Sequence, residues 1–345
     1  MNPRKEAGAP GCRRTRLLST LKNLVRLARP GHWIKNTFVF AALIFSRHLT
    51  QLDDVLTSLL AFAAFCLASS AVYALNDVVD RNEDARHPKK CRRPVASGEI
   101  SPGVACLFAL VLNIAAVAIA LNVVRGPAPL SQLLDIDNSI HHGVFAVRFE
   151  HGFALVLGLY LAIMLAYILG LKRVAILDVL ILAVGFVLRA YAGGVAIDVW
   201  VSPWLILCTL TLALFLGFAK RESERVALGA AAGETRLVEW RMYDAKSLEH
   251  MMTVSAALAV VTYMLYTVSP ETIQRVGNPW MFITVLPVVY GVFRFHRKAI
   301  MGQAGDAVEM VRDPAFVVTM LVWLGMVALV LTGGRLCSGW SFGWV

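Results

Sequence analysis

The feature that most constrains this chain is a succession of apolar runs, several of which reach the roughly 20 residues a helix needs to cross a 30 Å hydrocarbon core. Read with a window of about 19 residues, the 345-residue sequence holds nine candidate spans, near 33–49, 55–76, 102–124, 152–170, 175–197, 202–219, 250–268, 279–295 and 315–333. With 58% hydrophobic and 16% charged residues, the chain exceeds the roughly 45–50% apolar share of soluble domains. The excess calls for lipid as solvent, so the expected fold is all-α, a polytopic membrane protein of about nine transmembrane helices. Lys35 and Asn36 interrupt the first run, which predicts a short or tilted element there.

The charges fall between the spans. Segments on one side carry 27 of the 33 Lys and Arg residues, which by the positive-inside rule makes that side, and the N-terminus, cytoplasmic. A net charge of +10 distributed this way does not form the basic face of a nucleic-acid-binding fold. Six cysteines without a CxxC pair indicate neither a disulfide framework nor a zinc site. Residues 1–30 read as a basic tail with an interfacial amphipathic helix, in which Leu17, Leu21, Leu24 and Ala28 recur at helical spacing. Residues 31–345 read as a single transmembrane domain. The longest loop on the opposite side, 125–151, contains His141 and His142, but adjacent histidines with no completing ligands do not make a metal site.

Chemistry concentrates at the cytoplasmic end of the second span, where the sequence reads Asn76-Asp77-Val78-Val79-Asp80-Arg81-Asn82-Glu83-Asp84. If the helix continues, Asn76, Asp80 and Asp84 stand one turn apart on one face, with Asp77 three residues before Asp80. Carboxylates this close repel, and hard oxygen donors with room for water and phosphate suit Mg2+ better than Ca2+. Arg86, Lys89, Lys90, Arg92 and Arg93 follow within a dozen residues. A metal bridging phosphate oxygens, with cations neutralising the rest, is what a departing diphosphate requires. On these residues alone, a solvated acidic helix end followed by a topogenic basic run remains the competing reading.

Three further groups stand out. Lys220-Arg221-Glu222-Ser223-Glu224-Arg225 follows the sixth span, with Glu222 or Glu224 available to complete a metal shell; alternating charges of this kind also suit a solvated loop. Lys172 and Arg173 end the fourth span, and Asp178 begins the fifth. Arg189 lies three turns beyond Asp178 within that span, where an ionisable group must face a cavity or a partner.

With these residues in view, the chain resembles the UbiA superfamily of membrane prenyltransferases, whose NDxxDxxxD hallmark matches Asn76, Asp77, Asp80 and Asp84. Within it the nearest likeness is to the decaprenyl-phosphate phosphoribosyltransferases. It is carried by Arg29-Pro30-Gly31-His32-Trp33-Ile34-Lys35-Asn36, by Ser70-Ala71-Val72-Tyr73, by His87-Pro88-Lys89-Lys90-Cys91-Arg92-Arg93-Pro94 and by Gly217-Phe218-Ala219-Lys220-Arg221-Glu222-Ser223-Glu224. The Leu188–Gly194 stretch is also similar. Two departures are visible. The DxxxD of aromatic prenyltransferases is absent, with Lys220, Arg221 and Glu224 in the equivalent stretch, and the superfamily's YxxxK is stretched to Tyr167 and Lys172.

The resemblance implies nine helices and an active site facing the cytoplasm at the inner membrane. It implies transfer of a phosphoribosyl group from phosphoribosyl pyrophosphate to a polyprenyl phosphate, forming a glycolipid precursor. Asp77, Asp80 and Asp84 would be catalytic. Asn76, Asp77, Asp80, Asp84 and Glu224 would hold Mg2+. Lys35, Asn36, Tyr73, Lys89, Arg92, Arg93, Tyr167, Lys172, Arg189, Lys220 and Arg221 would bind substrate. Membrane lipids are expected partners, nucleic acid is not, and a homo-oligomer is compatible with the sequence. The rival enzyme reading is a prenyl diphosphate transferase with an aromatic or other hydrophobic acceptor. An anion transporter is the reading from another class, but its binding groups would be expected near the bilayer midplane rather than at one interface.

Overall fold

A computed structural model of the chain describes residues 20–46, 48–86, 90–123, 152–229, 243–303 and 313–333. The described residues are helical and contain no strand. Among the described residues, seven helices are long and apolar enough to cross a membrane, or eight if one bent pair counts as a span. Lys89, Leu17 and the loop 125–151 with His141 and His142 lie outside the described residues. The chain forms two compact units, residues 1–169 with 192–199 and residues 170–191 with 200–345.

The first unit contains α1 (residues 20–28), a 3-10 segment (Pro30–Phe40), α2 (Ala41–Phe45), α3 (Leu52–Val79), α4 (Arg81–Asp84), α5 (Pro102–Val123) and α6 (Gly152–Leu169). Helix α3 is its centre, packed by α5, α6 and the 3-10 segment. Ala61, Ala64, Ala68, Ala71 and Ala74 are all buried along α3. Small side chains at this spacing let neighbouring backbones approach, which is how helices associate where lipid removes the hydrophobic driving force. Phe65 fills the wider gap, 6.0 Å from Phe153 and 5.3 Å from Tyr160 between ring centres.

The basic N-terminal helix is more deeply engaged than an interfacial helix needs to be. Leu27 is fully buried in a cluster with Ala71, Ala74, Val95 and Ile100, and Leu24 packs against that cluster, whereas Leu21 is 60% exposed. Arg26 ties the helix to the following loop through Glu99, at 2.7 Å, and the Arg92 carbonyl, at 2.8 Å.

The first apolar run does not form a straight span. It is an 11-residue 3-10 helix followed by the short α2. Asn36, 1% exposed, donates to Cys66 Sγ and Ser69 Oγ on α3, both at 3.2 Å, so its amide is a structural pin. Trp33 Nε1 donates to Ser70 Oγ, which in turn donates to the Ala28 carbonyl. A Cβ at Gly193 would collide with the Val39 carbonyl oxygen, so only glycine permits this approach of the chain to the 3-10 segment.

The second unit contains most of α7 (Leu177–Ala196) together with α8 (Pro203–Gly229), α9 (Ala245–Val268), α10 (Pro270–Val276), α11 (Val285–Ile300) and α12 (Pro314–Gly333). Val179, Phe215, Phe218, Leu248, Met252 and Phe295 form its core. The expected span 279–295 is part of a broken element. Helix α10 meets the segment Trp280–Ile300 at a bend of 101°. Ser269 accepts from Thr272 N at the start of α10 and Pro270 opens its first turn, while Gly277, at φ 78°, ends it in the left-handed region ahead of Pro279. Helix α8 runs on through Lys220–Arg225, so the charged cluster read as a possible loop is helical. Large apolar side chains such as Leu107, Val111, Ile114, Leu321 and Leu329 face outward on α5 and α12, as surfaces solvated by lipid do.

Candidate active site

The acidic motif spans a small break in the helix. Asp80 caps α3 at φ −87°, ψ 5°, and α4 begins at Arg81. Backbone bonds nevertheless carry across it, from Asp80 N to the Asn76 carbonyl at 2.9 Å and from Asp84 N to the Asp80 carbonyl at 2.8 Å. The expected one-turn spacing of Asn76, Asp80 and Asp84 is therefore kept. Asp77, Asp80 and Asp84 are buried, at 1%, 9% and 3% exposure.

Two arginines face these acids. Arg93 donates to Asp84 Oδ2 at 2.6 Å and to Asp77 Oδ1 at 3.2 Å, bridging two members of the motif. Arg29 forms an ion pair with the same Asp77 Oδ1. Its guanidinium carbon lies 5.0 Å from the centre of the Tyr73 ring, which His32 meets edge-on at 5.4 Å. Arg29 is in the left-handed backbone region, at φ 52°, ψ 58°, which costs a residue with a Cβ about 1–2 kcal/mol. Burial, together with the neighbouring Arg93, lowers its pKa against the pull of Asp77. Arg29 was not among the residues picked out individually for the site. Its only signal in the sequence is that it opens the Arg29–Asn36 stretch.

Asp77 Oδ2 is buried and accepts no hydrogen bond. A buried carboxylate oxygen with no donor is costly unless something fills it, and this one belongs to a set of hard oxygen donors, Asn76, Asp77, Asp80 and Asp84. That chemistry fits Mg2+. Among the described residues, however, no three His, Cys, Asp or Glu side chains stand at ligating spacing. With Arg29 and Arg93 in place, positive charge reaches the motif from guanidinium groups.

The remaining sequence candidates fall in different places. Lys35 and Tyr73 are partly buried on the first unit, as is Tyr167 on α6, while Arg92 is exposed. On the second unit, Lys172 is buried at 8% exposure. Arg189, 5% exposed, donates to the Gly185 carbonyl of its own helix at 2.8 Å and lies over Phe186. Glu224 is 3.8 Å from Lys220 and 3.6 Å from Arg221. Glu222 is held bidentately by Arg225. Arg221 also pairs with the fully buried Asp178 at 2.9 Å. Tyr243 donates to Asp178 Oδ1 at 2.5 Å and accepts from Ile176 N at 2.6 Å. Burial, and then this bond to Asp178, raise the pKa of the Tyr243 phenol. Tyr243 carried no signal in the sequence: it is an isolated tyrosine 65 residues from its acid.

The chain is similar to several known proteins. A family model described as the UbiA prenyltransferase family matches residues 37–133, a stretch that includes the whole acidic motif. The decaprenyl-phosphate phosphoribosyltransferase of Mycolicibacterium smegmatis is 29% identical over 322 residues, covering 90% of this chain and 93% of that protein. The Corynebacterium glutamicum protein of the same name is 26% identical, covering 89% and 86%. Among solved structures, a UbiA homolog from Archaeoglobus fulgidus bound to GPP and Mg2+ matches with a TM-score of 0.59 at 17% identity, covering 91% of this chain and 98% of that one. The apolar helices, the acidic motif at the end of α3 and these likenesses together mark the chain as a multi-helix membrane protein similar to transferases of the UbiA prenyltransferase family.

Proposed function

We propose that the protein transfers the 5-phosphoribosyl group of phosphoribosyl pyrophosphate to a polyprenyl phosphate at the cytoplasmic face of the membrane, with Mg2+. The observation that carries this reading is the buried acid set Asp77, Asp80 and Asp84 confronted by Arg93. The full-length likeness to two proteins named decaprenyl-phosphate phosphoribosyltransferase supports the choice of donor and acceptor. So does the absence of a second DxxxD, with Lys220, Arg221 and Glu224 in its stretch.

In this reading Asn76, Asp77, Asp80 and Asp84 hold the metal, which would neutralise the donor diphosphate and make it a better leaving group. The bond between the anomeric carbon and the diphosphate oxygen breaks, and a polyprenyl phosphate oxygen forms the new bond to that carbon. The acceptor is already anionic near neutral pH, so no strong base is needed, and holding the two reactants in line supplies most of the catalysis. Arg93, with Lys89 and Arg92 on the same segment, offsets charge on the departing diphosphate. Tyr73, whose ring lies under the Arg29 guanidinium, is assigned to substrate by the resemblance, and Lys35 serves the acceptor phosphate. Lys172, Arg189, Lys220 and Arg221, which lie on the second unit, are assigned to substrate through the resemblance. Glu224 is assigned to metal only through the resemblance, since two cations already surround it.

One observation favours a second reading. The solved UbiA homolog bound to GPP and Mg2+ shares this fold, so a prenyl diphosphate could occupy the acidic motif instead. Incubating the detergent-purified protein with Mg2+, polyprenyl phosphate and labelled phosphoribosyl pyrophosphate, beside an Asp77→Asn, Asp80→Asn double variant, decides between them. Metal-dependent label in extracted lipid, lost in the variant, is expected. If no labelled lipid forms, yet a prenyl diphosphate couples to an aromatic acid, the second reading holds.

A further inference from the structure

We infer that Arg29 is an exchangeable counter-ion of the acidic motif: its pairing with Asp77 competes with a divalent ion there, and it turns to phosphate oxygens once a metal-bound diphosphate arrives. The inference rests on reading the motif as a metal–diphosphate site, whichever group that diphosphate carries. The pairing at Asp77 is lopsided. Oδ1 serves both Arg29 and Arg93, while Oδ2, equally buried, accepts nothing. A pair serving stability alone would be expected to use both oxygens, as bidentate arginine–carboxylate pairs do; here one buried oxygen is left without a donor.

The backbone points the same way. Arg29 keeps a left-handed conformation that its side chain disfavours, at the junction of α1 and the 3-10 segment. Its amide donates to the Arg26 carbonyl and its carbonyl accepts from His32 N. Strain of this kind persists where surrounding contacts over-determine it, and it clusters at ligand clamps. The strain delivers a guanidinium that is 17% exposed, braced on Tyr73, to an acid 48 residues further along the chain. Arg93 needs no such device, because the acid it bridges most closely, Asp84, is only nine residues away.

Two opposite effects follow from one charge. A bare divalent ion at Asp77 must sit beside Arg29, so removing the arginine strengthens that binding. A metal-bound diphosphate brings more negative than positive charge, so removing the arginine weakens it. The test is an Arg29→Gln variant in detergent. Mn2+ alone is titrated by electron paramagnetic resonance, and Mg2+ with inorganic pyrophosphate by calorimetry. At the effective dielectric near a protein surface, one charge a few ångströms away is worth roughly tenfold or more in affinity. The expected result is about tenfold tighter Mn2+ and about tenfold weaker magnesium pyrophosphate. Arg29→Lys, which keeps the charge, should stay within a few-fold of wild type on both. Changes of the same sign, no change, or a lysine variant that behaves like glutamine would overturn the inference. Neither titration uses phosphoribosyl pyrophosphate or lipid, so failure of the proposed transfer reaction would be seen separately, in the labelled-lipid assay.

Discussion

Replacing Tyr243 with Phe removes one oxygen and leaves the ring where it is, edge-on to Phe218 at 6.5 Å. The lost oxygen donates to Asp178, which is fully buried and also carries Arg221, and it receives Ile176 N. Ile176 is a β-branched residue at φ 70°, a genuine outlier whose conformation this bond helps to hold. A hydrogen bond to a charged group contributes about 1.5–3 kcal/mol. The amide at Ile176 adds little, because that residue is 42% exposed and water or headgroups can replace the phenol. A loss of roughly 2–3 kcal/mol corresponds to a fall in apparent Tm of roughly 4–12 °C for a unit of this size. Because the phenol's pKa is raised in the folded state, its bond to Asp178 is present below the ordinary tyrosine value near 10 and is lost only as pH rises through the folded value. The Tm difference between Tyr243→Phe and wild type should therefore stay constant from pH 6 to 9. Thermal unfolding in detergent followed by tryptophan fluorescence measures it. A variant within 1 °C of wild type at every pH would show that Asp178 is held by Arg221 alone.

Two further outcomes follow from the packing and the charges. Gly193→Ala places a methyl against the Val39 backbone, which cannot rotate away, so the cost should exceed the roughly 1–3 kcal/mol of ordinary overpacking; size-exclusion chromatography should show the variant largely aggregated, while Gly158→Ala, where a Cβ meets nothing, elutes as wild type. Asp313 is bonded by Arg294, through two contacts at 2.8 Å, and by Lys298, and its carboxyl lies well below the usual range. That stabilisation is complete above the unfolded value near 4 and fades as pH falls below it, so the Tm of Asp313→Asn should lie below wild type from pH 5 to 8 and the two should converge under more acid conditions.

The helices α3, α5, α6, α7, α8, α9 and α12 correspond to runs visible in the sequence, because hydropathy over some 20 residues is a local property that lipid enforces on each helix separately. The two poorly formed runs were partly announced. Lys35 and Asn36 mark the first as irregular, whereas the bend at Gly277 and Pro279 ahead of the run 279–295 is seen only in the structure. The reach of α8 through Lys220–Arg225 was not legible, since alternating charges suit a helix end and a loop equally well. In the candidate site, spacing alone put Asn76, Asp80 and Asp84 on one face. It said nothing of what faces them. Asn36 matched a motif, and only the tertiary structure places its NH2 group against Cys66 and Ser69 of α3.

By itself, then, the sequence determined a helical membrane protein with an acidic, oxygen-rich motif at the end of one span, through hydropathy and helical period, both of which act within a few turns. Tertiary structure decided the partners: Arg29 and Arg93 on Asp77, Arg221 and Tyr243 on Asp178, and the Val39 backbone against Gly193. Each of these, apart from the local approach of Arg93, joins residues from 43 to 154 positions apart. Nothing in local propensity selects among the chain's 33 basic side chains as partners for a buried carboxylate; that choice is made by which helices pack together and by the high cost of leaving such a group without a counter-charge.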